Sequence, residues 1–384
     1  MLFVATSCGN SWLDLEPSTS VDTETSIKIL SDVEFTLNGI YSTMQSSDAY
    51  SGRLVYYGDV TGDDMQAVSS TKRVANYYRF NFTKDDNPSS HWSYLYSIIQ
   101  NCNLILMNID KLVIDEDDKA YRDDLKGEAL AIRGLALFDL TRIFGYPYLK
   151  DNGASLGVPI IEGLSTIDSK PTRNTVAQCY TKIIDDLTQS LSLLGEKFNK
   201  GKINKWGAMV LLSRVYLYKG ENANALKMAS DAIIGAEKNK YALWTNEDYP
   251  TAWGEDASAS KPGEVLFEIV NLTTDSPGKE SMGYLNSYDG YDDMCITCSF
   301  YQFLKEDPKD IRLKLLSFDK KYYAYVNKYQ PQREENIEDA NIPLIRLSEA
   351  YLNAAEAAVK ENDNDAAVKY LDPIVKRANP DNTV

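Results

Sequence analysis

Apolar positions recur at helical spacing along much of the chain. Between Thr25 and Met44, the residues Ile29, Val33, Leu37, Ile40 and Tyr41 fall on one face of a 3.6-residue repeat. A stripe through Trp92, Leu95, Ile98, Ile99, Cys102, Ile105 and Ile109 predicts a helix from His91 to Leu112. Another follows from Tyr121 to Phe144, where Gly145-Tyr146-Pro147 supplies a glycine and then a proline to stop it. Thr175 to Leu194 and Asn204 to Lys219 read as further helices, while Ser46 to Ser89 reads as loop with turns at Gly58-Asp59 and Gly62-Asp63-Asp64. Glu264 to Val270 alternates as a short strand. Around it, from Trp244 to Gln330, Tyr284, Tyr288, Tyr291, Tyr301 and Tyr322-Tyr323-Tyr325 are set among Gly, Asp, Asn and Ser, and make no helical face.

An internal similarity organises these elements. Around Gly220, the residues Leu212, Ser213, Tyr216, Ala225, Ala229 and Ala232 alternate small and large, as in a tetratricopeptide (TPR) unit whose two helices approach closely. Tyr351, Ala354-Ala355, Ala358, Ala367, Leu371 and Ile374 repeat that pattern near the C-terminus. Ala225 and Ala367 lie 142 residues apart, against roughly 34 in a tandem TPR array. The pairs are therefore dispersed, and an insertion of that length in a compact fold forms a functional loop or a second lobe. The expected fold is mostly α: dispersed TPR-like helix pairs at about 91–144, 175–237 and 342–378, with a loop-rich lobe containing short β-strands at about 46–89 and 244–330.

Composition narrows the function. The 384 residues carry 40 Lys plus Arg against 56 Asp plus Glu, a formal net charge of −16, which repels a phosphate backbone and argues against nucleic acid. His91 is the only histidine. That removes most His-based metal sites and leaves a Ser-His-Asp mechanism one candidate, placed at a helix start where a cap or surface role is expected. The 26 tyrosines lean towards a wet binding surface, because tyrosine joins an apolar face to a polar edge. Carboxylate pairs for glycoside hydrolysis exist at Asp63/Asp64, Glu116/Asp117/Asp118 and Asp292/Asp293, but in an acidic chain such loops read as solvated turns. No cofactor is expected. Asn362-Asn364 and Asp363/Asp365 lack the glycine and the closing glutamate of an EF-hand loop, which leaves a structural calcium open at most.

Five cysteines are present. Cys102 and Cys179 fall on apolar helix faces, as small hydrophobes do. Cys295-Ile296-Thr297-Cys298 has CxxC spacing without a second pair or a nearby histidine, and reads as a local disulfide or two free thiols. Cys8 follows Ala5-Thr6-Ser7 and a four-residue apolar run. Residues 1–8 read as the end of a lipoprotein signal with Cys8 as the lipid acceptor, although no basic n-region precedes it. No apolar run approaches the roughly 18 residues of a membrane-spanning helix.

Two long blocks carry a family resemblance. Gly127-Glu128-Ala129, Arg133, Phe138, Leu140, Arg142, Phe144-Gly145 and Pro147 closely resemble the "GEA-x-x-x-RA…F-x-L-x-R-x-FG-x-x-P" pattern of SusD/RagB outer-membrane lipoproteins. Ile342-Pro343-Leu344-Ile345-Arg346-Leu347-Ser348-Glu349-Ala350-Tyr351-Leu352 through Ala357 looks like the family's "IP-x-IRL-x-E-x-YL-x-x-AEA" block. Trp92…Tyr96…Ile99…Asn103…Ile109, Thr175 to Leu187, Glu264 to Phe267, and Cys8 with Trp12-Leu13-Asp14 and Pro17 agree in order.

The resemblance implies one SusD-like domain over 9–384 that is anchored to the outer membrane at Cys8 and seats on a SusC-like TonB-dependent transporter. It implies a non-catalytic protein that captures an oligosaccharide, or in RagB-like members a peptide; a TPR-type scaffold that binds only protein is the reading from another class. Ligand contacts are expected at Tyr288 and Tyr291, with Gln66, Arg73, Tyr77 and Trp253 as further candidates, while Trp92 and Trp206 read as core. Family members continue past Lys376-Arg377-Ala378-Asn379-Pro380 with another helix, so the resemblance also implies truncation at the C-terminus.

Overall fold

Helical periodicity becomes a stack of antiparallel helices. The computed structural model describes residues 26–83, 89–166, 168–254, 262–319, 323–331 and 336–384; Cys8 and the signal-like segment lie outside them. The scaffold begins with α1 (Leu30–Gln45). The short elements α2 (Arg53–Val60), β1 (Met65–Ala67) and α3 (Ala75–Tyr78) follow. The long helices come next: α4 (Ser89–Asn108), α5 (Lys119–Phe144), α6 (Val176–Leu193), α7 (Lys205–Lys219) and α8 (Asn222–Lys238). A lobe then contributes β2 (Val265–Ile269), α9 (Met282–Leu285), β3 (Met294–Ile296), α10 (Cys298–Lys305), β4 (Leu316–Phe318) and β5 (Ala324–Val326). The chain returns through β6 (Ile342–Arg346) to α11 (Leu347–Lys360) and α12 (Asn364–Ala378).

Each long helix packs on the next, α4 on α5, α5 on α6, α6 on α7 and α7 on α8, with α1 against α4. The order then jumps: α8 packs on α11, and α11 on α12. The mostly α architecture follows the helical spacing, and the insertion leaves the stack without interrupting it. Small residues make the jump possible. Ala225, Ala229, Ala232 and Ala236 of α8 and Ala350, Ala354, Ala357 and Ala358 of α11 are all fully buried, so these helices approach closely. Caps define the ends. Thr175 and Gln178 form a capping box at α6, Asn204 accepts from the Gly207 N–H at α7, and Gly220, with φ +82°, closes α7 in the left-handed region.

The signature blocks turn out to be buried polar partners. Arg133 grips Asp186 of α6 through two bonds of 2.8 and 2.6 Å and donates to Asn103 of α4 at 2.8 Å, tying three helices together. Tyr41 donates to Glu128 at 2.7 Å and accepts from the Ile203 N–H at 3.1 Å. Tyr50 donates to Asp139 at 2.7 Å, and Arg142 pairs with the same carboxylate. Glu349 of the second block receives Arg214 of α7 at 2.5 and 2.7 Å. Buried charges are tolerated only when paired and hydrogen-bonded, which these are.

Three expectations need correction. Residues 46–89 are not continuous loop, because α2, β1 and α3 form there against distant parts of the chain. Ile342–Arg346 is a strand, not the first turn of a TPR-like helix: β6 pairs antiparallel with β2, Ile269 opposite Ile342 and Val265 opposite Arg346. β2 does not alternate either; all five of its residues are buried, because both faces are covered. The pairing holds the lobe to the scaffold, where the buried Glu264 receives Arg346 at 2.7 Å and Arg377 of α12 at 2.6 Å.

Candidate functional site

The lobe is assembled from two segments more than 200 residues apart. β1 pairs antiparallel with β3, which sets Gln66 opposite Cys295. The register carries the residues after β1 onto the loop before β3. Arg73 reaches Asp293 and Glu280, both at 3.2 Å, while Lys72 donates to the Tyr291 carbonyl at 2.5 Å and sits 3.6 Å from Asp292. Burial raises the Asp293 carboxyl above its ordinary range, and the Arg73 guanidinium opposes that rise.

The loop from Asn286 to Asp293 is tightly closed. The Asp292 N–H donates to Ser287, and the Tyr291 N–H donates to Tyr284. Gly290 is required where the chain crosses itself, since a Cβ there would stand 2.0 Å from the Tyr284 carbonyl oxygen. Tyr288 occupies the tip with 46 % of its surface exposed and one side near the Tyr325 ring, 5.9 Å away. Tyr325 donates to Asp292; burial and that carboxylate hold its hydroxyl protonated.

The expected ligand residues fare differently. Gln66, Arg73, Tyr288 and Tyr291 are brought into one region. Tyr291 is half-buried, with Arg73 over one face and Tyr284 at 5.0 Å. Tyr77 is also half-buried, packed among Tyr56, Tyr57 and Phe82. Trp253 is a correction: only 6 % exposed, it packs with Trp244 and Tyr249 in a second small core, under Arg346. It presents no face for stacking. Trp206 is core as expected, and Trp92 is half-buried against Phe144.

His91 is another correction. It is buried at 1 % exposure, its Nδ1–H faces the Asp48 carbonyl at 3.1 Å, and burial lowers its pKa, so it is neither a cap nor a surface group. The cysteine pair is settled as two free thiols. Cys295 and Ile296 lie in β3 and Thr297 is extended (φ −72°, ψ 153°). Three extended residues separate the two Cα atoms by about 10 Å, beyond the roughly 7 Å a disulfide spans.

Sequence reasoning missed the rings beside Tyr77. Phe80 is 63 % exposed and Phe82 39 % exposed, their centroids 6.2 Å apart, and Phe82 lies 6.2 Å from Tyr57. Phe80 holds φ +53°, an uncommon conformation for a side-chain-bearing residue that costs about 1–2 kcal/mol. The signal was present as Tyr77-Tyr78-Arg79-Phe80-Asn81-Phe82, an aromatic density that no buried helix face explains.

Two concavities lie elsewhere on the molecule, the first sharing Tyr57 with these rings. One of about 330 Å³ lies between α2 and the helices α5 and α7. A larger cleft of about 610 Å³ lies between α10 and α12; three of its cations, Arg312, Arg346 and Arg377, are already paired with Asp310 or Glu264. Among the described residues no three His, Cys, Asp or Glu side chains converge to hold a metal. In the Asn362–Asp365 turn, Asp363 caps α12 by accepting from the Ala366 N–H at 3.0 Å. Among the described residues no helix is long and apolar enough to cross a membrane.

Comparison with known proteins agrees with this architecture. A family profile described as "Starch-binding associating with outer membrane" matches residues 11–217, and a second, described as "SusD family", matches residues 314–384. A solved structure from Bacteroides vulgatus ATCC 8482 is 82 % identical, with a TM-score of 0.92 over 94 % of this chain and 80 % of its own. A SusD superfamily protein from the same organism is 38 % identical, with a TM-score of 0.87 over 93 % of this chain and 82 % of its own. SusD-like protein P2 of Formosa agariphila is 26 % identical over 302 residues, which are 76 % of this chain and 55 % of that protein. The chain spans about half or less of the length of the curated relatives it matches. With more than half of its residues inside one family profile and a close likeness to SusD superfamily structures, the chain belongs to the SusD family.

Proposed function

We propose that this protein captures oligosaccharides at the outer face of the outer membrane, anchored through Cys8, and delivers them to a SusC-like TonB-dependent transporter without breaking a bond. The observation that carries this reading is the set of exposed rings on the lobe, Tyr288 at its loop tip and Phe80 with Phe82 beyond Arg73 and Tyr77. A sugar ring has an apolar C–H face that stacks on an aromatic side chain, and hydroxyl edges that need polar partners. The loops that carry the rings are rich in Asn, Asp and Ser, residue types able to serve as such partners. Asp292 and Asp293, the carboxylate pair nearest Tyr288, are engaged by Tyr325 and Arg73, which suits a support role rather than acid–base chemistry.

The test is a calorimetric titration of residues 9–384 with maltohexaose, laminarihexaose, mannohexaose and xylohexaose, and with mixed peptides in parallel. Chromatography after each run reports whether the sugar is intact. Saturable binding of an intact oligosaccharide is expected. Binding of peptides alone moves the protein to the RagB-like reading, and shortened sugars overturn the non-catalytic one.

A further inference from the structure

The pocket of about 330 Å³ between α2 and the scaffold contains none of the residues that the sequence nominates for ligand contact. Its α2 wall carries Leu54, Val55, Tyr57 and Gly58, and the facing wall carries Arg142, Arg214 and Leu344. Its polar groups are fixed before any ligand arrives. Asp139 accepts from Tyr50 at 2.7 Å and pairs with Arg142, and Arg214 pairs with Glu349. The two guanidinium groups and two carboxylates balance, so the pocket favours neither an anion nor a cation.

Donors nevertheless remain. A guanidinium has five N–H groups, and the Arg142 side chain keeps 33 % of its surface exposed after pairing with Asp139. Half-buried Leu54 and Val55 supply apolar surface on the α2 wall, and half-buried Ile143 and Leu344 add more on the wall that carries Arg142. An apolar wall facing pre-oriented donors, with no net charge, matches a sugar ring with its C–H face and its hydroxyl edge. The volume is at the small end of ligand sites, which run from roughly 300 to 1,000 Å³, and suits one terminal unit rather than a chain passing through.

Tyr57 connects this pocket to the exposed rings. It lines the pocket and also meets Tyr77 at 5.5 Å and Phe82 at 6.2 Å. We infer that the pocket is a second subsite, which takes the terminal unit of a neutral oligosaccharide whose chain lies across Tyr57, Phe82 and Phe80. This inference rests on the glycan-capture reading and adds to it a preference for chain ends and for uncharged sugars.

Gly58 makes the test clean. It lies in α2 on the pocket wall, and a Cβ built there meets no atom within 4 Å. Gly58→Trp therefore fills the cavity from its open side, and Gly58→Ala is the control. With the hexaoses named above, Gly58→Trp is expected to lower affinity at least tenfold with an unchanged melting temperature, while Gly58→Ala binds as the parent does. A tenfold loss in Gly58→Trp with Gly58→Ala unaffected supports the subsite. Unchanged affinity in Gly58→Trp, alongside a loss in Phe80→Ala or Tyr288→Ala, overturns the subsite and leaves glycan capture standing. Silence of the parent protein towards all four hexaoses overturns the glycan reading and the subsite with it.

Discussion

The guanidinium carbon of Arg73 lies 3.9 Å from the centroid of the Tyr291 ring. At that distance it covers the face a sugar would need. Arg73 is itself held from the other side by Glu280 and Asp293, so the stack is a strut between β1's downstream segment and the loop before β3. Cation–π contacts of this kind contribute about 0.5–2 kcal/mol. Tyr291 is thus read as the support and Tyr288, three residues earlier and exposed, as the contact.

Two tyrosine substitutions separate those roles. Tyr288→Ala should weaken oligosaccharide binding by about 1–2 kcal/mol, with stability changed by no more than about 0.5 kcal/mol. Tyr291→Ala should show the reverse emphasis, losing about 1–3 kcal/mol of stability through the broken strut. Calorimetric titration and urea unfolding of both variants check the pair, and equal binding losses with no stability difference would contradict the assignment.

The Arg133–Asp186 pair lies in the middle of the helix stack, the carboxylate fully buried and the arginine side chain 8 % exposed. Removing the carboxylate strands the Arg133 guanidinium, whereas removing Arg133 leaves Asp186 with Lys182, 3.2 Å away. Asp186→Asn should cost about 3–5 kcal/mol in denaturant unfolding. Arg133→Met should cost less because Lys182 still faces the carboxylate, and the double replacement should cost less than the two single costs combined.

Glu128 gives a pH signature. Burial raises its carboxyl from 4.5 to about 7, with Lys202 and the Tyr41 hydroxyl pulling in the opposite direction. The folded state therefore holds a proton that the unfolded chain has released between pH 4.5 and about 7. Over that window the folded protein binds more protons, so its stability falls as pH rises, by up to about 3 kcal/mol from this one group. Glu128→Gln keeps an acceptor for Tyr41 and removes the charge. Unfolding midpoints measured from pH 4.5 to 8 should fall less steeply in that variant than in the parent.

Two glycines should respond with opposite sign to the same substitution. A Cβ on Gly235 of α8 would stand 2.0 Å from Cζ3 of Trp206, so Gly235→Ala forces α7 and α8 apart and should cost about 1–3 kcal/mol. Gly58 has open space around it, and Gly58→Ala should gain up to about 1 kcal/mol from helix propensity. Thermal unfolding of the two variants reads both signs.

The long helices were legible because each keeps an apolar stripe over several turns. Trp92 through Ile109 predicted the extent of α4 to within a few residues, and Gly145 ended α5 where expected. The short elements were not legible. β1 and α3 have three and four residues, and what holds them lies far away in sequence: Gln66 opposite Cys295, Arg73 on Asp293. The strand Ile342–Arg346 was merged with the helix after it, because only the partner strand Val265–Ile269 distinguishes the two.

Loop aromatics show the boundary most plainly. Trp253 and Tyr288 both stand next to glycine and acidic residues in irregular segments, and locally they look alike. One is a core residue because Trp244, Tyr249 and Arg346 converge on it; the other projects from a turn and keeps 46 % of its surface exposed. The amino-acid sequence alone determined the helix faces, the dispersed TPR-like pairs and the family, since these depend on spacing within a few turns or on contiguous blocks. Which rings reach solvent, which signature charges become buried partners and where a pocket opens were decided by the tertiary structure. Those properties depend on what the topology brings from between about 50 and more than 200 residues away, and no local pattern records it.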